Sequence, residues 1–79
     1  MKLHIQVFGV LTEIVNSNQV EVEVSQNELS AAELRQMLIE RYPAMALLQL
    51  KLAVNNQLVE TAFCKENDSL ALMPPFSGG

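Results

Sequence analysis

A single long helix, bracketed by strong start and stop signals, limits the folds open to this chain of 79 residues more than any other feature. Ser30 and Glu33 stand at the S-x-x-E spacing of a capping box, in which each side chain satisfies a backbone N–H near the other residue. Leu29 and Leu34 occupy the two positions of a hydrophobic staple. Leu34, Met37, Leu38 and Tyr42 then recur on one stripe, with Glu33, Arg35, Gln36 and Glu40 mostly outside it. Pro43 stops the run, because proline disfavours helical geometry in the residue before it. One such helix can cover one face of a sheet, so the rest of the chain must supply a sheet with a single buried face.

The flanking segments read that way. Residues 3–8 alternate, with Leu3, Ile5 and Val7 on one face and His4, Gln6 and Phe8 on the other, until Gly9 closes the strand. Leu11, Ile14 and Val15 predict a short helical turn over residues 10–15, and Asn16-Ser17-Asn18 is a turn signal. Residues 20–24 alternate without a break, valines inward and Glu21 and Glu23 to water. Residues 44–50 are apolar with no clear period. Leu52 and Val54 resume a strand, and Asn55-Asn56, which tolerate positive φ, predict a tight hairpin into Leu58-Val59. Residues 66–69 turn again, residues 70–73 form the last strand, and Pro74-Pro75 stop it, since proline cannot donate to a ladder. The order predicts an α+β domain of the β-grasp, ubiquitin-like kind: a mixed four- to five-stranded sheet with one main helix packed on one face. The expected body is residues 1–73, and residues 74–79 form an extended C-terminal tail.

Little in that body suggests a reaction. The formal net charge is −4 and the five cations are scattered, which argues against DNA or RNA. No apolar run approaches the roughly 20 residues of a membrane span, and residues 1–11 carry no signal-peptide core, so the expected location is cytoplasmic. Cys64 is the single cysteine, without a CxxC partner, and beside Phe63 it reads as a small hydrophobe. His4 is the single histidine, outward on a strand, with no second ligand spaced to make a metal site. Glu21 and Glu23 read as solvation, and no glycine-rich phosphate loop exists. Neither a bound metal nor a bound cofactor is expected.

The end of the sequence is different. Two of the three glycines are Gly78 and Gly79. At an average usage of about 7%, a chance Gly-Gly ending falls in roughly one chain in 200. Pro74 and Pro75 fix φ and stiffen the exit from the last strand. Residues 74–79 reach about 20 Å when extended, and glycines without Cβ atoms can enter a channel that rejects other residues. The expected reactive group is the α-carboxylate of Gly79. A free carboxylate is a poor acyl donor, so a partner must activate it, most simply by adenylation, after which a sulfur nucleophile can displace AMP.

The segment Asn67-Asp68-Ser69-Leu70-Ala71-Leu72-Met73-Pro74-Pro75-Phe76-Ser77-Gly78-Gly79 resembles the C-terminal signature of the molybdopterin synthase small-subunit family. Leu52-Ala53-Val54-Asn55 is similar to that family's central strand, and the start, from Val7-Phe8 to Glu13, to its first strand and short helix. Asn67 stands where the family often has glycine, Met73 where an aromatic is common, and Phe76 where valine is usual. The resemblance implies a non-catalytic, sulfur-donating subunit. An E1-like adenylating enzyme spends ATP to activate Gly79, a sulfur donor protein converts it to a thiocarboxylate, and the large subunit uses the sulfur to build the dithiolene of molybdopterin. It also implies a heterotetramer of two small and two large subunits. A carrier for thiamine thiazole synthesis, a ubiquitin-like protein modifier and a plain binding module remain open alternatives.

Strand parity adds a surface. If Leu3, Ile5 and Val7 face the helix, Phe8 faces the uncovered side. Leu70 and Leu72 share one face of the last strand, which leaves Met73 on the other. Leu58 on the short strand is ambiguous by its own residues. The resemblance places Phe8, Leu58 and Met73 where the family's small subunit meets the large one. The expectation is one apolar patch at the root of the tail, made by these three with Pro74, Pro75 and Phe76, and with Ser77 following into the partner.

Overall fold

A computed structural model describes residues 1–58 and 62–74. The elements run β1 (Lys2–Val7), α1 (Leu11–Val15), β2 (Gln19–Glu23), β3 (Leu29–Ser30), α2 (Ala31–Arg41), a 3₁₀ helix (Pro43–Leu47), β4 (Lys51–Val54), β5 (Phe63–Cys64) and β6 (Leu70–Met73). Four strands form one mixed sheet in the order β2-β1-β6-β4, and β3 and β5 form a separate two-stranded ladder. β1 and β2 are an antiparallel hairpin, with Leu3 opposite Val22 and Ile5 opposite Val20. β6 lies between β1, to which it is parallel, and β4, to which it is antiparallel. The chain therefore reaches its last strand at the centre of the sheet.

One face of that sheet makes the core. Leu3, Ile5 and Val7, Val20 and Val22, Leu52 and Val54, and Leu70 and Leu72 point to the same side. There they cluster with Ala31, Leu34 and Leu38 of α2 and with Leu11, Leu29, Met45, Leu50 and Cys64. Leu34 and Leu38 are fully buried. Truncating either to alanine costs about 2–5 kcal/mol out of the 5–15 that holds a typical domain together, so the stripe decides whether the domain folds.

The helix starts where its sequence says. Ser30 is extended and its Oγ accepts from the Glu33 N–H at 3.1 Å. The return half of the box differs from expectation: the Glu33 carboxylate accepts from the Ser30 hydroxyl at 3.0 Å rather than from a backbone N–H. Ser30 is at once the N-cap and a strand residue opposite Phe63. At the other end Tyr42 leaves helical geometry (φ −127°, ψ 83°) ahead of Pro43. Arg41 reaches back across the edge of β2 and donates to the Glu21 carbonyl at 2.8 Å, which covers part of an otherwise exposed strand edge.

Two expectations change. The apolar residues 44–50 contain a 3₁₀ helix that buries Met45. Asn55 and Asn56 do take positive φ (52° and 69°), and Val54 and Gln57 exchange hydrogen bonds of 2.9 and 3.1 Å. The hairpin stops there, however: Leu58 lies in no strand, and Val59 is outside the described residues. The additional short strand is Phe63–Cys64, which pairs with Leu29–Ser30 instead of joining the main sheet.

Candidate functional site

The face of the sheet turned away from α2 is divided. Over β2 and β1 it carries exposed Gln19, Glu21, Glu23, Lys2, His4 and Gln6. The Glu21 carboxylate lies 3.6 Å from Lys2 Nζ and 3.5 Å from His4 Nδ1. Exposed pairs of this kind contribute about 0–1 kcal/mol, so they mark a solvated half. Over β6 and β4 the face is mainly apolar, with exposed Lys51 at one end of β4: half-buried Ala71 and Met73, and Ala53, only 8% exposed yet outside the core cluster. Ala53 pairs with Ala71, and Lys51 with Met73.

Phe8, Leu58 and Pro74, three of the residues expected at the partner surface, lie about this half. Phe8 follows β1 and is 46% exposed. Because Val7 pairs with Leu72 in the parallel ladder, the next position sets Phe8 level with Met73. Leu58 is exposed. It directly follows the antiparallel Val54–Gln57 bridge at the outer edge of β4. Ala53 lies against Ala71, which is two positions, about 7 Å, along β6 from Met73. Pro74, half-buried, directly follows β6.

Gly9 joins these elements, and the parity argument did not single it out. Its φ is +60°, a value that side-chain-bearing residues seldom adopt, and a Cβ built there would lie 3.1 Å from Pro74 Cγ. Its carbonyl accepts from the Thr12 N–H at 3.1 Å and from Thr12 Oγ1 at 2.8 Å, which fixes it to the first turn of α1. The ladder between β1 and β6 thus ends with a turned glycine on one side and a proline without an N–H on the other. A glycine between a strand and a helix start was the available signal; which residue it would face was not.

At the opposite end, polar groups anchor β6. Asn55 N–H donates to the Ser69 carbonyl at 2.7 Å and Asn55 Oδ1 accepts from Ser69 N–H at 3.0 Å. Asp68 accepts from Lys65 N–H at 2.8 Å and from Asn55 Nδ2 at 3.3 Å. Asn67 takes φ +74° in this turn, the left-handed geometry for which asparagine substitutes for glycine.

Cys64 is fully buried, and burial, with a smaller push from the Asp68 charge, raises its thiol to about 11. A thiol held protonated is a poor nucleophile, so Cys64 acts as a core residue. Phe63, its neighbour, is a large exposed apolar group that sequence reasoning did not select. Among the described residues no group of three or more His, Cys, Asp or Glu could hold a metal ion, and no helix is long and apolar enough to cross a membrane. Pro75, Phe76, Ser77, Gly78 and Gly79 lie outside the described residues.

A sheet closed by one helix, with its final strand central and running out through Pro74 beside an uncovered apolar face, defines a ubiquitin-like β-grasp domain. The chain belongs to the ThiS family, which matches it over residues 5–79. A curated relative, the molybdopterin synthase sulfur carrier subunit of Drosophila erecta, is 27% identical over all of this chain and 92% of its own length. Among solved structures, a molybdopterin converting factor subunit 1 from Pyrococcus furiosus superposes with a TM-score of 0.82 at 16% identity, over 95% of this chain and 98% of that one. SAMP1 from Haloferax volcanii gives 0.78 at 22% identity over the whole of both chains. A chain from the complex of subunits 1 and 2 of the molybdopterin-converting factor of Helicobacter pylori gives 0.64 at 24% identity, again over both chains entirely. At these identities the structural likeness speaks for the fold. The resemblance drawn from the tail is borne out at the level of family and relatives.

Proposed function

We propose that this chain is the sulfur carrier subunit of a molybdopterin synthase, with the α-carboxylate of Gly79 as its working group. The carboxylate attacks the α-phosphate of ATP on an adenylating E1-like enzyme and releases pyrophosphate. A sulfur nucleophile then displaces AMP and leaves a thiocarboxylate. The larger synthase subunit takes up the tail through Pro74, Pro75, Phe76 and Ser77, with Phe8, Leu58 and Met73 docked beside it. The sulfur passes to a pterin precursor. No cofactor resides on the carrier, and ATP is used by the activating partner. The cytosol is the proposed compartment.

The observation that carries this reading is the match of the ThiS family over residues 5–79, through the tail itself. The full-length alignment to a sulfur carrier subunit supports it. So does the apolar half-face that borders Pro74 at the end of the central strand. Carrying the chemistry on the terminus also explains a folded body whose one thiol is buried.

A ubiquitin-like modifier is the second reading, because SAMP1 shares the fold. Both readings are separated by intact mass. Incubation with a cognate activating enzyme, ATP and hydrosulfide is expected to add the mass of one sulfur-for-oxygen exchange, mapped to Gly79, and the large subunit is expected to discharge it onto the pterin precursor. Ladders of protein conjugates without pterin conversion would replace the carrier reading with the modifier reading.

A further inference from the structure

We infer that Gly9 is a positioning residue for the tail: the bare backbone at Gly9 is the seat of the Pro74 ring, and this seat sets the direction in which the tail leaves the fold. The inference rests on the carrier reading above, and adds to it a residue outside the tail and outside the apolar patch.

Three observations meet here. First, Gly9 has φ +60°, and a Cβ at this position would approach Pro74 Cγ to 3.1 Å and Cδ to 3.7 Å. A separation of 3.1 Å is shorter than the 3.5–4.0 Å at which carbon atoms rest against one another, so any side chain forces the ring aside. Second, the seat is rigid. Gly9 is held by both Thr12 hydrogen bonds, and Leu11 N–H donates to the Phe8 carbonyl at 3.1 Å on the other side of it. Third, Pro74 is the first residue beyond β6, whose ladder with β1 ends at Leu72 and whose ladder with β4 ends at Met73. Pro74 has no N–H with which to extend either ladder. Its ring against Gly9 is the contact that takes over where the sheet stops holding the chain.

The ring of Pro74 fixes that residue's φ, so a displacement of the ring also turns the backbone through which the chain leaves β6. The carboxylate it steers lies up to about 20 Å of extended chain away. Reacting groups must meet at about 3–3.5 Å, and a partner's channel selects the tails that enter in line.

The test uses the full chain as the substrate of its activating enzyme and separates steering from folding. Gly9→Ala introduces the Cβ but also strains a positive φ. Gly9→Asn carries the same Cβ with a residue that tolerates left-handed geometry. Docking by the apolar face is unaltered in both, so a misdirected tail is expected to lower kcat for adenylation by about tenfold with little change in KM. A merely destabilised carrier would instead raise the apparent KM, because the unfolded fraction is not substrate. Adding Pro74→Ala removes the ring atoms that the new Cβ strikes, so the double variants are expected to match Pro74→Ala alone. In wild-type protein, NOEs between the Gly9 α-protons and the Pro74 ring protons are expected independently of any activity.

Unchanged kcat in Gly9→Asn, double variants slower than Pro74→Ala alone, or the absence of those NOEs overturns the inference while leaving the carrier reading intact. A wild-type chain that is never adenylated overturns the carrier reading, and this inference with it.

Discussion

Phe8 offers the most direct measure of the docking face, because its contribution can be worked from its exposure. At 46% exposed, and with about 200 Å² for a whole phenylalanine, Phe8 presents about 90 Å² that a partner can bury. At about 25 cal/mol per Å² this is about 2 kcal/mol, or about 30-fold in Kd. Phe8→Ala should therefore weaken binding to the large subunit by about that factor in titration calorimetry. Phe8→Arg should abolish detectable binding, since it also forces a charge against Met73. The free domain should not notice either change. Phe8 lies outside the core cluster, and its backbone contribution, the carbonyl that accepts from Leu11 N–H, is retained. Melting should stay within about 4 °C of wild type. A fall of more than about 10 °C would mean that Phe8 holds up the fold. An unchanged Kd with an intact fold would mean that the partner docks elsewhere; either result refutes the parity argument.

Deleting Gly79, or adding one residue after it, should abolish sulfur transfer in the reconstituted assay while leaving the melting curve unchanged, because the proposed mechanism places the reaction on the terminal carboxylate. Cys64→Ala should keep full sulfur transfer at a cost of about 1 kcal/mol in urea unfolding. The wild-type thiol should resist alkylation until the pH nears 11: its value is raised from 9.0 to about 11, so its share of stability is complete below 9.0 and is lost as pH climbs through that window. Ser30→Ala removes the acceptor of the Glu33 N–H and should cost about 1 kcal/mol, seen as a drop of about 4–8 °C in Tm, with kcat for adenylation untouched.

Sequence legibility follows the length of each pattern. β1, β2 and β6 could be read because alternation over four or more residues has only one meaning when one face is buried: Leu3, Ile5 and Val7 are all buried and Lys2, His4 and Gln6 all exposed. The same parity correctly placed Phe8 and Met73 off the core. The β3–β5 ladder was not legible. Two residues per strand carry no period, and Leu29–Ser30 meets Phe63–Cys64 only because the staple and the helix start bring them together. Residues 43–47 were not legible for the opposite reason, since an apolar run with no polar face does not announce that only Met45 turns inward. At the site, Ala53 and Ala71 were overlooked because small side chains look neutral in a sequence, although they make the flat part of the apolar face. Gly9 stands in the turn just beyond β1, which ends at Val7 rather than Phe8; that it also faces Pro74 needs the parallel register of β1 and β6, a contact across more than sixty residues.

That register also explains why a carrier of this kind keeps its reactive end on an inner strand. A partner that draws the tail into a channel pulls along β6. An edge strand pulled along its axis would be resisted by one ladder alone. β6 is held on both sides, by β1 from Ile5 to Val7 and by β4 along its whole length, so the same pull loads both ladders in shear and must break them together. At its far end the strand is tied down again by Asn55, Asp68 and Ser69. The result is a strand that can bear load at Pro74 while Leu70 and Leu72 stay in the core. On the proposed carrier reading, the working of the tip therefore depends on how firmly the strand behind it is fixed.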